Sequence, residues 1–140
     1  MSQELIEIVR RLENIIRPGV IREVDYGAAA VRVDSGGLTS AWLPFLSRRA
    51  GKTSDWDPPE PGEQCLVLSP GGELSTGFVL GAIYSDDCPA PAARPELHVR
   101  TFEDGLECSY DHNSHTLTIA RPEGLKVRIQ TEKLNIDASK

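Results

Sequence analysis

A proline-rich break divides this chain into two folding problems. Residues 86–95 read Asp-Asp-Cys-Pro-Ala-Pro-Ala-Ala-Arg-Pro, with Pro89, Pro91 and Pro95 at close spacing. Proline fixes φ and removes a backbone donor, so this stretch is expected to be an extended, semi-rigid linker at a domain boundary. Beyond it, residues 97–103, 106–111, 115–120, 125–131 and 133–137 alternate tightly, pairing Val99 with Thr101, Leu117 with Ile119, Val127 with Ile129 and Leu134 with Ile136. The turns between them are brief: Glu103-Asp104-Gly105, Asp111-His112-Asn113 and Pro122-Glu123-Gly124. A meander of about 45 residues with one thin apolar face makes a poor core. Such strands suit a β-helix or solenoid, in which stacking supplies the core, and here the stacking has to come from identical chains.

Before the linker the hydrophobic period changes once. Leu5, Ile8, Val9, Leu12, Ile15 and Ile16 recur at three- and four-residue steps and predict a helix over 3–16, with Ser2 as N-cap and Pro18-Gly19 as the stop. A helix of about four turns cannot bury that stripe alone. The stripe, with the loop at 45–62, is expected to be a docking element; a plug for the mouth of the chain's own barrel is the competing reading. From residue 19 the period is two. Strands are expected at 19–25, 30–34, 39–43, 64–69 and 77–84, the last two apolar enough to need cover on both faces. Five short strands fit a small barrel, and the OB-fold is the commonest choice.

The 140 residues suit one compact domain with an appendage. No apolar run approaches the ~20 residues needed to span a bilayer, and Glu4, Glu7 and Glu13 interrupt the N-terminus, unlike a signal peptide. A net charge of −6 and 6% aromatic residues argue against an OB-fold binder of single-stranded nucleic acid or oligosaccharide. Arg48, Arg49 and Lys52 form a small basic cluster that Asp55 and Asp57 offset. Cys65, Cys88 and Cys108 are odd in number and far apart, so no disulfide framework or zinc motif is implied.

Candidate chemistry is thin. His112 and His115 belong to a stretch that reads as a hairpin turn, and no further ligand lies nearby. His98 sits in an alternating strand. Asp86-Asp87 reads as the start of the linker, and Ser69-Pro-Gly-Gly-Glu73 lacks the lysine of a phosphate loop. No catalytic, cofactor-binding or metal-ligating residue is assigned, and no enzyme activity is expected.

The run from Trp42 to Tyr84 resembles the phage baseplate assembly protein V family, the central spikes of contractile tails and R-type pyocins. The residues that carry the resemblance are Trp42-Leu43-Pro44, Arg49-Ala50-Gly51, Trp56 with Pro58 and Pro59, Gly62-Glu63-Gln64, Leu66-Val67-Leu68, Ser69-Pro70-Gly71-Gly72, Gly77-Phe78-Val79-Leu80-Gly81 and Ala82-Ile83-Tyr84-Ser85-Asp86. After the linker, Phe102-Glu-Asp-Gly105 and Tyr110-Asp111 with His115-Thr-Leu-Thr resemble that family's entry into its β-helix.

The resemblance implies an all-β fold with a short N-terminal helix: an OB-fold barrel followed by a trimeric intertwined β-helix. The expected divisions are a helix at 1–17, the OB domain at 18–85, the linker at 86–95 and the start of the spike at 96–140. It also implies a structural spike held by the tail hub through its OB domain and driven mechanically through the host outer membrane. The partners are then two further copies, hub and baseplate proteins and, transiently, that membrane, but no nucleic acid. The location is a virion or pyocin tail baseplate, assembled in the bacterial cytoplasm. Relatives often end in a His-x-His pair around iron. This sequence has none and stops at Ala138-Ser139-Lys140 within β-helix-like strands, which is expected to reflect truncation. A type VI secretion spike is the alternative; its hub is usually fused ahead of the OB domain.

Overall fold

The structure, a computed structural model, describes residues 2–139; Met1 and Lys140, the outer ends of the first and last expected ranges, lie outside it. It divides into two units, 1–90 and 91–140, a boundary inside the expected linker.

Helix α1 runs Gln3–Asn14, with the Ser2 hydroxyl accepting from the Leu5 N–H at 3.1 Å. It stops two residues earlier than its stripe suggests. Ile15 caps it, and Ile16 already opens strand β1, Ile16–Asp25, so helix and strand join without a loop. Backbone pairing wins over helical periodicity here: the Ser69 N–H donates to the Ile15 carbonyl at 2.8 Å and Ile16 pairs with Leu68. Pro18 and Gly19 therefore lie inside β1 rather than ending the helix. Gly19 lets β1 approach β2, because a Cβ there would overlap Val33 Cγ1.

Strand β2 (Ala30–Ser35) returns antiparallel to β1, whose register shifts between Ile21 and Glu23. The strand expected at 39–43 divides into β3 (Leu38–Thr39) and β4 (Leu43–Pro44), each pairing with a different end of β2. The sidestep between them is filled by Ser40, whose hydroxyl accepts from the Val33 N–H and whose own N–H donates to the Val33 carbonyl. Strands β5 (Gln64–Leu68) and β6 (Phe78–Ile83) complete the order β3-β2-β1-β5-β6. A parallel bridge from Phe45 to Val79 joins the β4 end to β6 and closes the barrel.

Ile21, Val31, Val33, Leu43, Cys65, Val67 and Val79 form its core, with Val24, Phe45 and Leu74 packed against it. The 45–62 loop folds on itself: the Asp55 N–H donates to the Arg49 carbonyl at 3.0 Å, and the Phe45 and Trp56 rings lie 6.2 Å apart.

In the second unit, β7 (Leu97–Thr101), β8 (Glu107–Asp111) and β9 (Thr116–Ala120) form an antiparallel meander. The strands expected at 125–131 and 133–137 are not formed: after Ala120 no regular element appears among the described residues. Alternation marks which side chains share a face, but a strand exists only when its backbone groups meet a neighbouring strand. Among the described residues no strand is brought to these segments, and the expected trimeric β-helix is not shown.

Candidate functional site

The fold presents three apolar surfaces. The first is the sheet of the second unit. Its register places His98 and Arg100 on one face with Tyr110, Cys108, Leu117 and Ile119. On that face Leu117 is 72% exposed and Ile119 59%. The other face groups Val99 with Ser109 and Thr118, and encloses a shallow polar cavity of about 250 Å³ that Arg94, Glu107 and Asp111 help to line. Past β9, Val127, Ile129, Leu134 and Ile136 are all exposed. No described residue from 91 onward is buried.

The second surface is the outside of β1, β5 and β6. Ile16, Leu68 and Phe78 stand in register, as do Pro18, Leu66 and Leu80. Residues between them, Cys65, Val67 and Val79, point into the core. The expectation of cover on both faces of residues 77–84 is thus not met within the chain: of β6 only Val79 is buried, while Phe78, Leu80 and Ile83 are exposed. The apolar run was a true signal of two faces, but this chain covers one.

The third surface is α1. The polar side of the helix faces the chain's own barrel. Arg10 and Arg11 reach Glu73 at 3.4 and 3.8 Å, Glu7 bridges both arginines, and the Asn14 side-chain Oδ1 accepts from Arg17. Those two guanidinium groups hold the Glu7 carboxyl down to about 2. At Gly72 a Cβ would collide with the Arg11 backbone, so glycine there seats the helix. Asn14 is the only described helix residue that is buried, while Leu5, Ile8, Val9 and Leu12 are exposed. None of the stripe residues belongs to the barrel core, so the helix is not a plug.

The residues weighed for chemistry fall into structural places. Ser69-Pro-Gly-Gly-Glu73 makes a short 3-10 turn at Pro70–Gly72 that receives α1. His112 and His115 lie in the β8–β9 turn, where Asp111 Oδ1 accepts from the Asn113 and Ser114 N–H groups. These bonds hold the Asp111 carboxyl below its ordinary range. His115 is not brought to His112; His98 is, with ring nitrogens 3.1 Å apart. Cross-strand register makes that pair, and sequence spacing carries no sign of it. Burial pushes the Cys65 thiol up to about 11, as expected of a small core residue. No cluster of three or more His, Cys, Asp or Glu suited to a metal occurs among the described residues.

The comparisons follow this anatomy. Residues 17–84, from β1 through β6, match the family described as the type VI secretion system/phage-baseplate injector OB domain. Over 134 residues, 95% of this chain, the sequence is 41% identical to the spike protein of Escherichia phage P2. The alignment takes in 62% of that relative, so the chain spans less than two thirds of its length. The chain belongs to the phage baseplate spike family, with the closed barrel as its injector OB domain.

Proposed function

We propose that this chain is a structural, non-enzymatic spike of a contractile tail baseplate. Three copies intertwine their residues 96–140 into a β-helix that is pushed through the host outer membrane. The observation that carries this reading is the second unit: alternating strands, short turns and no buried residue among those described from 91 onward, beside a barrel with a complete core. Three chains would give each unpaired segment after Ala120 a neighbour and each exposed rung an apolar axis. A rod so built fails only by parting one chain from both others, which suits a load along its length. The barrel and its 45–62 loop, with Trp56 exposed at its surface, are the surface for the tail hub. The protein is then a virion component assembled in the bacterial cytoplasm, with no need of a cofactor or nucleic acid.

The same architecture serves a type VI secretion spike, and the matched family's description spans both systems. The phage relative favours the tail. Light scattering tests the proposal: a mass near three times 15.3 kDa is expected. A monomer at micromolar concentration overturns it, and hydrolysis of peptidoglycan by the purified protein overturns its non-enzymatic part.

A further inference from the structure

Helix α1 is turned inside out. Amphipathic surface helices lay their apolar stripe on their own core and show charge to solvent. Here Asn14 is buried and Glu7, Arg10 and Arg11, though still half exposed, are tied on the same side to Glu73, while the apolar stripe lies uncovered on the other. The orientation is fixed from three sides: by the Glu73 ion pairs, by the seat at Gly72, and by the loop-free junction at Ile15.

The stripe itself has a coiled-coil order. Within the helix, Leu5, Ile8 and Leu12 follow the 3-4 spacing of positions a, d and a, and Val9 stands beside them at position e; Ile15 caps the helix and Ile16 already belongs to β1. Leucine at a with isoleucine at d disfavours two strands and favours trimers or tetramers. The additional apolar position widens the stripe to the three-sevenths face of a multi-helix bundle. A helix of 12 residues is marginal on its own and needs partners supplied at high local concentration. The exposed Ile16, the first residue of β1, follows the helix directly and stands in register with Leu68 and Phe78 on the apolar outside of the barrel.

We infer that the occupant of this stripe is the same stripe of two further copies of this chain, three α1 helices forming a parallel bundle ahead of the OB domains. The inference rests on the proposed trimer, which brings three α1 helices into one particle. It places sibling chains, rather than the hub, against Leu5, Ile8 and Leu12, and leaves the hub the barrel and the 45–62 loop.

The test is cross-linking of the full chain in a Cys88→Ser, Cys108→Ser background, leaving only the buried Cys65. Ile8→Cys places a thiol in the proposed bundle, and Glu13→Cys places one off the stripe. A short bismaleimide is expected to couple Ile8→Cys chains roughly tenfold faster than Glu13→Cys chains, since bundled thiols share a raised effective concentration. Light scattering of the same samples reports the mass independently. A trimer in which both variants couple equally slowly overturns the bundle and leaves the trimer standing, which hands the stripe to a different protein. A monomer overturns both.

Discussion

Strands β2 and β9 carry nearly the same pattern, yet they meet opposite fates. In Ala-Val-Arg-Val the two valines, Val31 and Val33, are fully buried; in Thr-Leu-Thr-Ile, Leu117 and Ile119 stay largely exposed. Propensity does not separate them, since both are β-branched and aliphatic runs that alternate with polar residues. Closure does. Strand β2 is covered because β4 and β6 meet through Phe45 and Val79 and bend the sheet around one interior. Strand β9 ends a meander of three strands, and its apolar face is left uncovered by the described residues. An alternating sequence therefore declares a face, and topology decides whether the same chain can cover it.

The largest test of that contrast compares one truncation in each unit. Leu43→Ala removes the largest contribution of β4 to the closed core, and about 2–5 kcal/mol of stability is expected to be lost. Denaturant unfolding followed through Trp42 and Trp56, both in the barrel unit, measures it. A loss well under 1 kcal/mol would show that the barrel does not depend on closure at β4. Ile119→Asp is the counterpart. It is expected to leave barrel unfolding unchanged while shifting the proposed trimer towards smaller species by light scattering, because in that assembly it would put a charge where three chains converge. An unaltered mass would remove Ile119 from any interchain core.

A smaller effect is expected at the helix seat. Gly72→Ala puts a methyl into the Arg11 backbone and forces an unfavourable positive φ, so about 1–3 kcal/mol should be lost, read as a lower Tm. An unchanged Tm would mean that α1 contributes nothing to the barrel unit. The smallest effect is electrostatic and distinguishes the clamp from the core. Glu7 has a folded pKa below its ordinary value, so its contribution is present above about pH 4.5 and is lost as pH falls towards about 2. Thermal scans across that range should show a decline that Glu7→Gln flattens and that added salt shrinks, while the apolar core is indifferent to both. A pH profile identical in Glu7→Gln would remove the clamp from the account.

Much of this architecture was legible in the sequence. The period of three to four in residues 5–12 expresses local chemistry, and the structure follows it with a helix. The misreadings occur where a distant partner decides. Ile15 and Ile16 continue a helical period, but Ser69 and Leu68 draw them into a strand. Thr39–Leu43 reads as one strand, but β2 takes its two ends separately. The polar back of α1 meets Glu73, 63 residues from Arg10, a contact that leaves no local trace. The pairing of His98 with His112 was hidden for the same reason. Of the apolar surfaces, the stripe and the rungs were visible as patterns, whereas the outward face of β6 was visible only as an apolar run that the described residues leave exposed.

The loop-free passage from α1 into β1 has a mechanical consequence. Strand β1 is ten residues long and lies between β2 and β5, hydrogen-bonded to both. A pull or push delivered to the helix enters the barrel along the length of that strand, with no slack segment to stretch first. Two ladders would have to slide at once for it to yield, a shear geometry in which many bonds share the load, rather than a zipper opened one bond at a time. Whatever grips the N-terminal helix therefore holds the stiffest line through the domain.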